Sequence, residues 1–306
     1  MLTALDAQSS KFLADVGRIQ DRIAKANSQV TSGKRIMVGS DDPDQIGALL
    51  QLRSDLQRNT QIQSNLSLAQ TDANAADNSL AAAIKLMDTV VSLATQGGNA
   101  TMDSTARKGI AQQIEAIRQQ MVATSQTSVQ GRFIFSGDKD DTAAYNWDIT
   151  QTNPVAQASS SQATRLIEDP SGGAFPVSKT AQGIFDERDS SGVATINNAF
   201  NALATLQQAL EADNTSGITG SITLIKASTD HLNAMEAFYG NVQIRVENTT
   251  DFAGKYSVQL QTEISQKEDT DITSAAMEMV QANTQLQAAF QMRAQMPHSS
   301  LFQYLG

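Results

Sequence analysis

The chain has 306 residues, no cysteine and a formal net charge of −10. That excludes a disulfide framework, a thiolate nucleophile and a Cys-ligated zinc site, and it disfavours a phosphate backbone as partner. Hydrophobic residues make up 40 % of the chain but aromatics only 5 %, with a single Trp, a mix that suits long helices with thin cores better than a deep catalytic pocket.

The first helix is expected over 5–31, where Phe12, Val16, Ile19, Ile23, Ala26 and Val30 recur at alternating steps of four and three. Sustained alternation of this kind keeps one seam facing a partner helix. Asp15, Arg18, Asp21, Arg22 and Lys25 interrupt any apolar run that could act as a cleaved secretory signal. Thr31, Ser32 and Gly33 end the helix, and a connector follows to Ser40. Asp42-Pro43-Asp44-Gln45 restarts it: Asp42 caps, Pro43 suits the first helical position and Gln45 completes a capping box. The second helix is predicted over 43–95, with a stripe of Ile62, Leu66, Ala69, Ala73, Ala76, Leu80, Ala83, Met87 and Val90 before Gly97-Gly98-Asn99. A third is predicted over 104–129, striped by Ile110, Ile114, Ile117, Met121 and Thr124.

The composition then changes. Arg132 to Gly137 reads as a strand entering a turn, and 138–190 holds Trp147, Pro154, Pro170 and Pro176 among clusters of Gly, Ser and Asp. This reads as a β-rich insertion of short strands. Helical spacing returns at 193 with Val193, Ile196, Phe200, Leu203 and Leu210. A long helix is predicted from Gly220 past 260, with a candidate break near Gly254, and a terminal helix from 270. Its stripe of Ile272, Ala275, Met279, Ala282, Leu286, Ala289, Arg293 and Met296 matches the one at the start. No stretch approaches eighteen or so consecutive apolar residues, so no membrane span is expected.

The expected fold is mainly α with a β-rich insertion: a long antiparallel, coiled-coil-like helical rod built by the two halves of the chain, plus a small β outer domain. The divisions are 1–42 (assembly helix and connector), 43–137 and 193–263 (the two halves of the rod), 138–192 (the β region) and 264–306 (the second assembly helix). Residues 1–40 carry a net +3 and residues 263–306 a net −3, which favours side-by-side packing of the ends, although an exposed pair contributes only about 0–1 kcal/mol. The ends have little to bury themselves against except each other or a neighbouring subunit. Isolated helices are marginal in water, so both ends are expected to be mobile in a free monomer and to become protected on polymerisation. The assembly residues are Phe12, Val16, Ile19, Ile23, Ala26 and Val30 at one end, and Ile272, Met279, Leu286, Phe290, Leu301 and Leu305 at the other.

Candidates for chemistry are few. His231 and His298 lie on separate segments without a metal-spaced partner. The cluster Asp138, Asp140, Asp141 lacks the alternation, central Gly and distal Glu of a calcium loop, and Asp186, Glu187, Asp189 and Gly192 fail the same test. No phosphate-cradling Gly loop with a following Lys occurs. Asn65, Asn99, Asn214 and Asn248 begin Asn-x-Ser/Thr triplets that are read as chance, and Ser159-Ser160-Ser161 offers a candidate site for O-linked sugar. No catalytic, metal-binding or cofactor-binding residues are assigned, and no cofactor is expected.

Two segments then meet a family. Val30-Thr31-Ser32-Gly33-Lys34-Arg35-Ile36, followed by Ser40-Asp41-Asp42-Pro43, resembles the N-terminal signature of the bacterial flagellin superfamily. Gln281-Ala282-Asn283-Thr284-Gln285-Leu286-Gln287-Ala288-Ala289-Phe290 and the ending Ser299-Ser300-Leu301-Phe302-Gln303-Tyr304-Leu305 resemble its other end. The resemblance covers about 1–137 and 220–306 and marks Ser32, Gly33, Lys34, Arg35, Asp41, Asp42 and Pro43 as the signature connector. Within the superfamily, Gly131-Arg132-Phe133-Ile134-Phe135-Ser136-Gly137 and the aromatic ending resemble the hook-associated branch, whose members join hook to filament, more than filament flagellins.

The resemblance implies a structural subunit of the flagellum. Such a subunit is exported unfolded through the flagellar type III apparatus with the help of a chaperone and folds outside the cell. It assembles through its terminal helices with copies of itself, with the other hook-associated protein and with flagellin. Filament flagellins also resemble one another in a receptor-contacting Arg and Glu of the second helix, where this chain has Val91 and Ser92, so recognition by the innate flagellin receptor is not implied. The alternatives are filament flagellin itself and a secreted helical adhesin or effector that uses the β region as its binding head; an enzyme is the remotest reading.

Overall fold

The computed structural model describes residues 2–151 and 153–295. Among the described residues, seven helices and six short strands follow in the order α1 Leu2–Ser32, α2 Pro43–Gly97, α3 Ser104–Ser125, β1 Ser128–Val129, β2 Arg132–Phe133, β3 Tyr145–Trp147, β4 Val155–Gln157, β5 Leu166–Glu168, β6 Ala174–Pro176, α4 Ala181–Phe185, α5 Ala199–Glu211, α6 Thr215–Glu268 and α7 Ile272–Gln295. The described chain is therefore mainly helical with a small strand-containing insertion, as its patterning indicates. It divides into a terminal unit, from the residues up to Gln57 and from Ser257 onward, and a central unit, Arg58–Tyr256; α2 and α6 contribute to both.

In the central unit the predicted stripe of α2 is buried along its whole length, from Ile62 through Leu66, Ala73 and Leu80 to Val90. Its many Ala residues let neighbouring backbones approach closely. Ile110, Ile114, Ile117 and Met121 of α3, Leu203, Leu206 and Leu210 of α5, and Ile225, Leu232, Tyr239 and Val246 of α6 complete one contiguous apolar cluster. Arg107, also buried, ties the turns together: it donates to the carbonyls of Gly97 and Asn99, both at 2.9 Å, and pairs with Asp213.

The strands form three separate antiparallel pairs, β1–β2, β3–β4 and β5–β6, in the registers Val129 opposite Arg132, Trp147 opposite Val155 and Glu168 opposite Ala174. None is wide enough to stand alone. Apolar side chains of the strands and the turns beside them enter the helical cluster instead: Phe135 meets Phe185 and Tyr239 edge-on, and Tyr145 meets Phe200 with ring centroids 5.1 Å apart. The insertion is also held by charge. Arg165 donates to Asp72 of α2 at 2.8 Å and to Asp140 at 2.7 Å, and Arg132 lies within 3.6 Å of the same two carboxylates.

Four boundaries differ from the sequence reading. α3 stops at Ser125, because Gln130 and Gly131 take positive φ angles of 52° and 78° and turn the chain straight into the β1–β2 hairpin. The helix expected from 193 starts at Ala199, where Asn198 accepts the Asn201 N–H at 2.8 Å. Val193 lies ahead of it in a turn organised by Asp189 and Ile196 in the next turn, closed by the Asn198 N–H on the Thr195 carbonyl, both more than 60 % exposed. α6 begins at Thr215, capped by Asn214, and passes Gly254 unbroken; a lone Gly weakens a long helix by only about 1 kcal/mol. The one-turn helix α4 falls inside the region read as strands, capped by the Thr180 hydroxyl.

Candidate assembly interface

The terminal unit is built on α1 and α7, which pack together. They are antiparallel, since partner numbers fall along α7 as they rise along α1. Arg293 donates to Ser9 at 3.0 Å, the Phe12 and Phe290 rings meet edge-on at 6.2 Å, and Arg22 reaches Glu278 at 2.7 Å and Gln285 at 2.9 Å. The +3 and −3 charges of the two ends thus meet in at least one ion pair.

The seam is thin. Val16 and Ala26 of α1 and Ala275 and Ala282 of α7 are buried, while Phe12, Ile19, Ile23, Val30, Met279 and Leu286 are only half-buried. Ile272 and Phe290 are more than half exposed, so of the proposed contact residues these two turn most of their surface to solvent. The same holds for Leu13 (68 %), Met277 (61 %), Val280 (62 %) and Met292 (64 %), which sequence reasoning left out. Their signal was their place off the seam: apolar residues outside the main stripe of an amphipathic helix indicate a second face. A groove of about 640 Å³ lies between the two helices, with Phe12, Ile19, Ala289 and Met292 among its lining residues. Leu301 and Leu305, with Met296 and His298, lie outside the described residues.

The signature connector holds the base of this pair. Gly33 ends α1 with φ +70°, its N–H bonded to the Gln29 carbonyl at 2.9 Å; a side chain at that φ is strained. Lys34 and Asp269 then form an isolated antiparallel bridge, in which Arg35 N–H donates to the Glu268 carbonyl at 2.6 Å and Thr270 N–H to the Gly33 carbonyl at 2.9 Å. Ser32 is exposed, and its hydroxyl donates to the Ser28 carbonyl and accepts the Lys34 N–H. Arg35 spans Asp42 and the Lys267 carbonyl, both at 2.9 Å. Asp41 accepts the N–H groups of Met37 and Val38, which hold its carboxyl below the usual carboxylate range. Asp42 caps α2 through the Gln45 N–H ahead of Pro43, and its carboxyl too is held low, chiefly by Arg35.

Glu268, which the sequence reading passed over, is the centre of the connector. Its side chain is 4 % exposed, with Lys34 Nζ 2.5 Å from one carboxylate oxygen and Arg53 of α2 2.7 Å from the other. The Lys34 approach is an ion pair that lacks hydrogen-bond alignment. Burial pushes this carboxyl up, but the two cations outweigh it and the net direction is down. Asp271 caps α7 by accepting the Thr273 and Ser274 N–H groups; the Asp-x-Thr-Ser spacing was its visible signal.

Elsewhere, charged groups are spent on structure. Asp140 belongs to the Arg132–Arg165 network, and Asp138 pairs with the Ser161 hydroxyl. Asp186 is buried and accepts from Tyr145 (2.8 Å), Asn198 (2.7 Å) and Arg188 (3.0 Å); burial and this carboxylate together push the Tyr145 phenol up. His231 bonds the carbonyl of Gly183, within α4, at 2.9 Å. Among the described residues no group of three His, Asp or Glu side chains is placed to hold a metal ion, and no helix is long and apolar enough to cross a membrane.

These features define a class: a helical chain whose two ends pair along a seam of small residues and keep further apolar surface open. The N-terminal helical region of bacterial flagellin, as a family model, matches residues 6–140, and its C-terminal helical region matches 222–305. The two matches together take in well over half of the chain, and the protein belongs to the bacterial flagellin family.

Solved structures similar to it include a flagellar hook-associated protein from Vibrio parahaemolyticus, 19 % identical with a TM-score of 0.62, over 75 % of this chain and 100 % of that one. FlgL of Xanthomonas campestris is 17 % identical with a TM-score of 0.58, over 69 % and 98 %. Flagellar hook-associated protein 3 of Legionella pneumophila is 11 % identical with a TM-score of 0.60, over 71 % and 98 %. At these identities the likeness is one of fold. No curated protein matches the sequence directly.

Proposed function

We propose that this chain is a structural subunit of the bacterial flagellum that joins hook to filament, and that it acts by assembly and not by catalysis. The observation that carries the proposal is the terminal pair: both ends bear the family's sequence, they pair with each other, and they leave Leu13, Met277, Val280, Phe290 and Met292 uncovered. Apolar surface kept open on paired helices is surface for neighbours. The junction reading is supported over filament flagellin by the fold likeness to hook-associated proteins, which extends over essentially their whole length.

In this reading residues 1–42 and 264–306 are the assembly segments, 43–137 and 193–263 the supporting helices and 138–192 the β-rich outer region. The partners are other copies of the chain, the second hook-associated protein, flagellin and an export chaperone. The place of action is outside the cell, reached by type III export. Deletion of the gene tests it: electron microscopy should reveal hooks without filaments, with flagellin released into the medium. Intact hooks carrying normal filaments would overturn the junction role, and immunogold label along an entire filament would make the chain a filament flagellin.

A further inference from the structure

We infer that Glu268 is the positioning residue that sets the register between α1 and α7. The seam itself specifies register poorly. Phe12, Ile19 and Ala26 recur every seven residues, as do Val16, Ile23 and Val30; on α7 so do Ala275, Ala282 and Ala289, and Met279, Leu286 and Arg293. Sliding one helix by a heptad, about 10 Å, therefore exchanges like for like at many seam positions. The Ala275–Ala282–Ala289 layer of α7 offers few interlocking knobs to oppose that slip. The contacts that do mark one register lie at the rim or at the far end of the pair: Arg22 and Glu278 have side chains 44 % and 41 % exposed, the ring of Phe290 that meets Phe12 is half exposed, and Arg293 reaches Ser9 and the Phe12 ring. Exposed ion pairs of this kind are weak.

At the base of the pair the situation is reversed. The chain leaves α1 and enters α7 through two crossings, and both are fastened to the same residue. The Glu268 carbonyl receives the Arg35 N–H, its buried carboxylate meets Lys34 from one crossing and Arg53 from α2, and Thr270 N–H returns to the Gly33 carbonyl. Lys267 extends the clasp by donating to Gln45 at 3.0 Å. A carboxylate that is 4 % exposed and set between two cations resists displacement, since any slip strands it without partners. Once freed, connector residues 33–42 could span roughly 30 Å when extended, ample for a slip of one heptad. The clasp, and not the seam, then decides which side chains of α1 and α7 present the open apolar face. This deepens the assembly reading above, yet it concerns the free chain and can fail or hold apart from the junction role.

The absence of cysteine makes the test clean. Spin labels on Ala14→Cys and Gln287→Cys, both exposed positions of the pair, report the α1–α7 separation by pulsed electron resonance on the soluble full-length chain, with Trp147 fluorescence following the central unit. The parent should give a single separation, and so should Arg22→Ala, which removes the seam's ion pair. Glu268→Gln should add a second, longer separation or broaden the distribution toward it, because labels nearly level in the parent are carried about 10 Å apart along the helix axis. Lys34→Met with Arg53→Met should do the same, and this double variant decides the matter if Glu268→Gln disturbs the central unit. One unchanged separation in both clasp variants would overturn the inference, as would several separations in the parent or a shift in Arg22→Ala alone.

Discussion

The central and terminal units are both helical, but they close their interiors differently. The central unit buries a continuous column of side chains, including Phe135, Tyr145, Phe175, Phe185 and Tyr239, and draws its short strands into the same cluster. The terminal unit buries Val16, Ala26, Ile36, Leu49, Leu260, Ala275 and Ala282, residues that are mostly small or at the helix bases, and leaves larger apolar side chains of α7 in solvent. Burying a large side chain contributes roughly 1.5–3 kcal/mol, and a methyl group far less. The first unit therefore has the means to fold by itself. The second lacks much of what its length demands, and neighbours can supply it. The terminal helices are paired in the isolated chain, so the seam found its complement within the molecule; what they lack is cover for the rest of their apolar surface.

The sharpest way to break this contrast is to place a charge on the seam. Leu286→Asp, or Ile19→Asp, should abolish incorporation into the flagellum while leaving the central unit folded, because these half-buried seam positions would hold a charge without a partner once a neighbouring subunit covers them. Swimming at the parental level with either variant would count against the terminal pair as the assembly surface. A companion pair of truncations compares the interiors directly. Phe135→Ala should lower the stability of the central unit by about 3–5 kcal/mol in a denaturant titration. Val16→Ala, which removes a side chain 7 % exposed from the thin seam, should leave that transition where it is. Equal effects would mean that the two units unfold as one.

Hydrogen exchange should resolve the same difference without mutation. Amides of α1 and α7 in the soluble chain should exchange at least about tenfold faster than those of α3 and the middle of α2, since few buried contacts oppose local opening there. Polymerised protein should lose the difference. Protection of α1 and α7 in the free chain equal to that of Leu66 or Ile114 would remove the distinction between the units.

How far the sequence could be read follows from the same physics. The stripes of α1, α2, α3 and α7 were visible because a helix buried on one face must repeat its apolar residues at 3.6. The break at Gly33 and the start at Pro43 were visible because a positive φ and a missing N–H leave residue-specific marks. What stayed hidden depended on partners distant in the chain. Val193 and Ile196 have helical spacing but sit in two successive turns, one held by Asp189 and one closed between Thr195 and Asn198, and α4 is too short to show a period. The clasp was hidden for a related reason. Gly33 stood out from local pattern and Lys34 through the family resemblance, but Glu268 and Arg53 become the clasp's other half only when residues more than 200 positions apart are brought together.

Acid should act on the terminal pair through that clasp, with the smallest of the expected effects. In the folded chain the Glu268 carboxyl lies below its ordinary value of 4.5, because Lys34 and Arg53 outweigh burial. The folded state therefore binds fewer protons than the unfolded one near that pH, and stability must fall as pH falls. The contribution is full above about pH 5, where the unfolded carboxyl is also ionised, and is lost progressively below 4.5 as the folded group is protonated. Asp41 and Asp271, held low by the hydrogen bonds of their turn and helix cap, and Asp42, held low chiefly by Arg35, act with the same sign. Helicity followed between pH 6 and 3 should drop more steeply for the parent than for Glu268→Gln, whose amide cannot titrate. Two parallel curves would show that the clasp carboxylate contributes nothing to holding the chain ends.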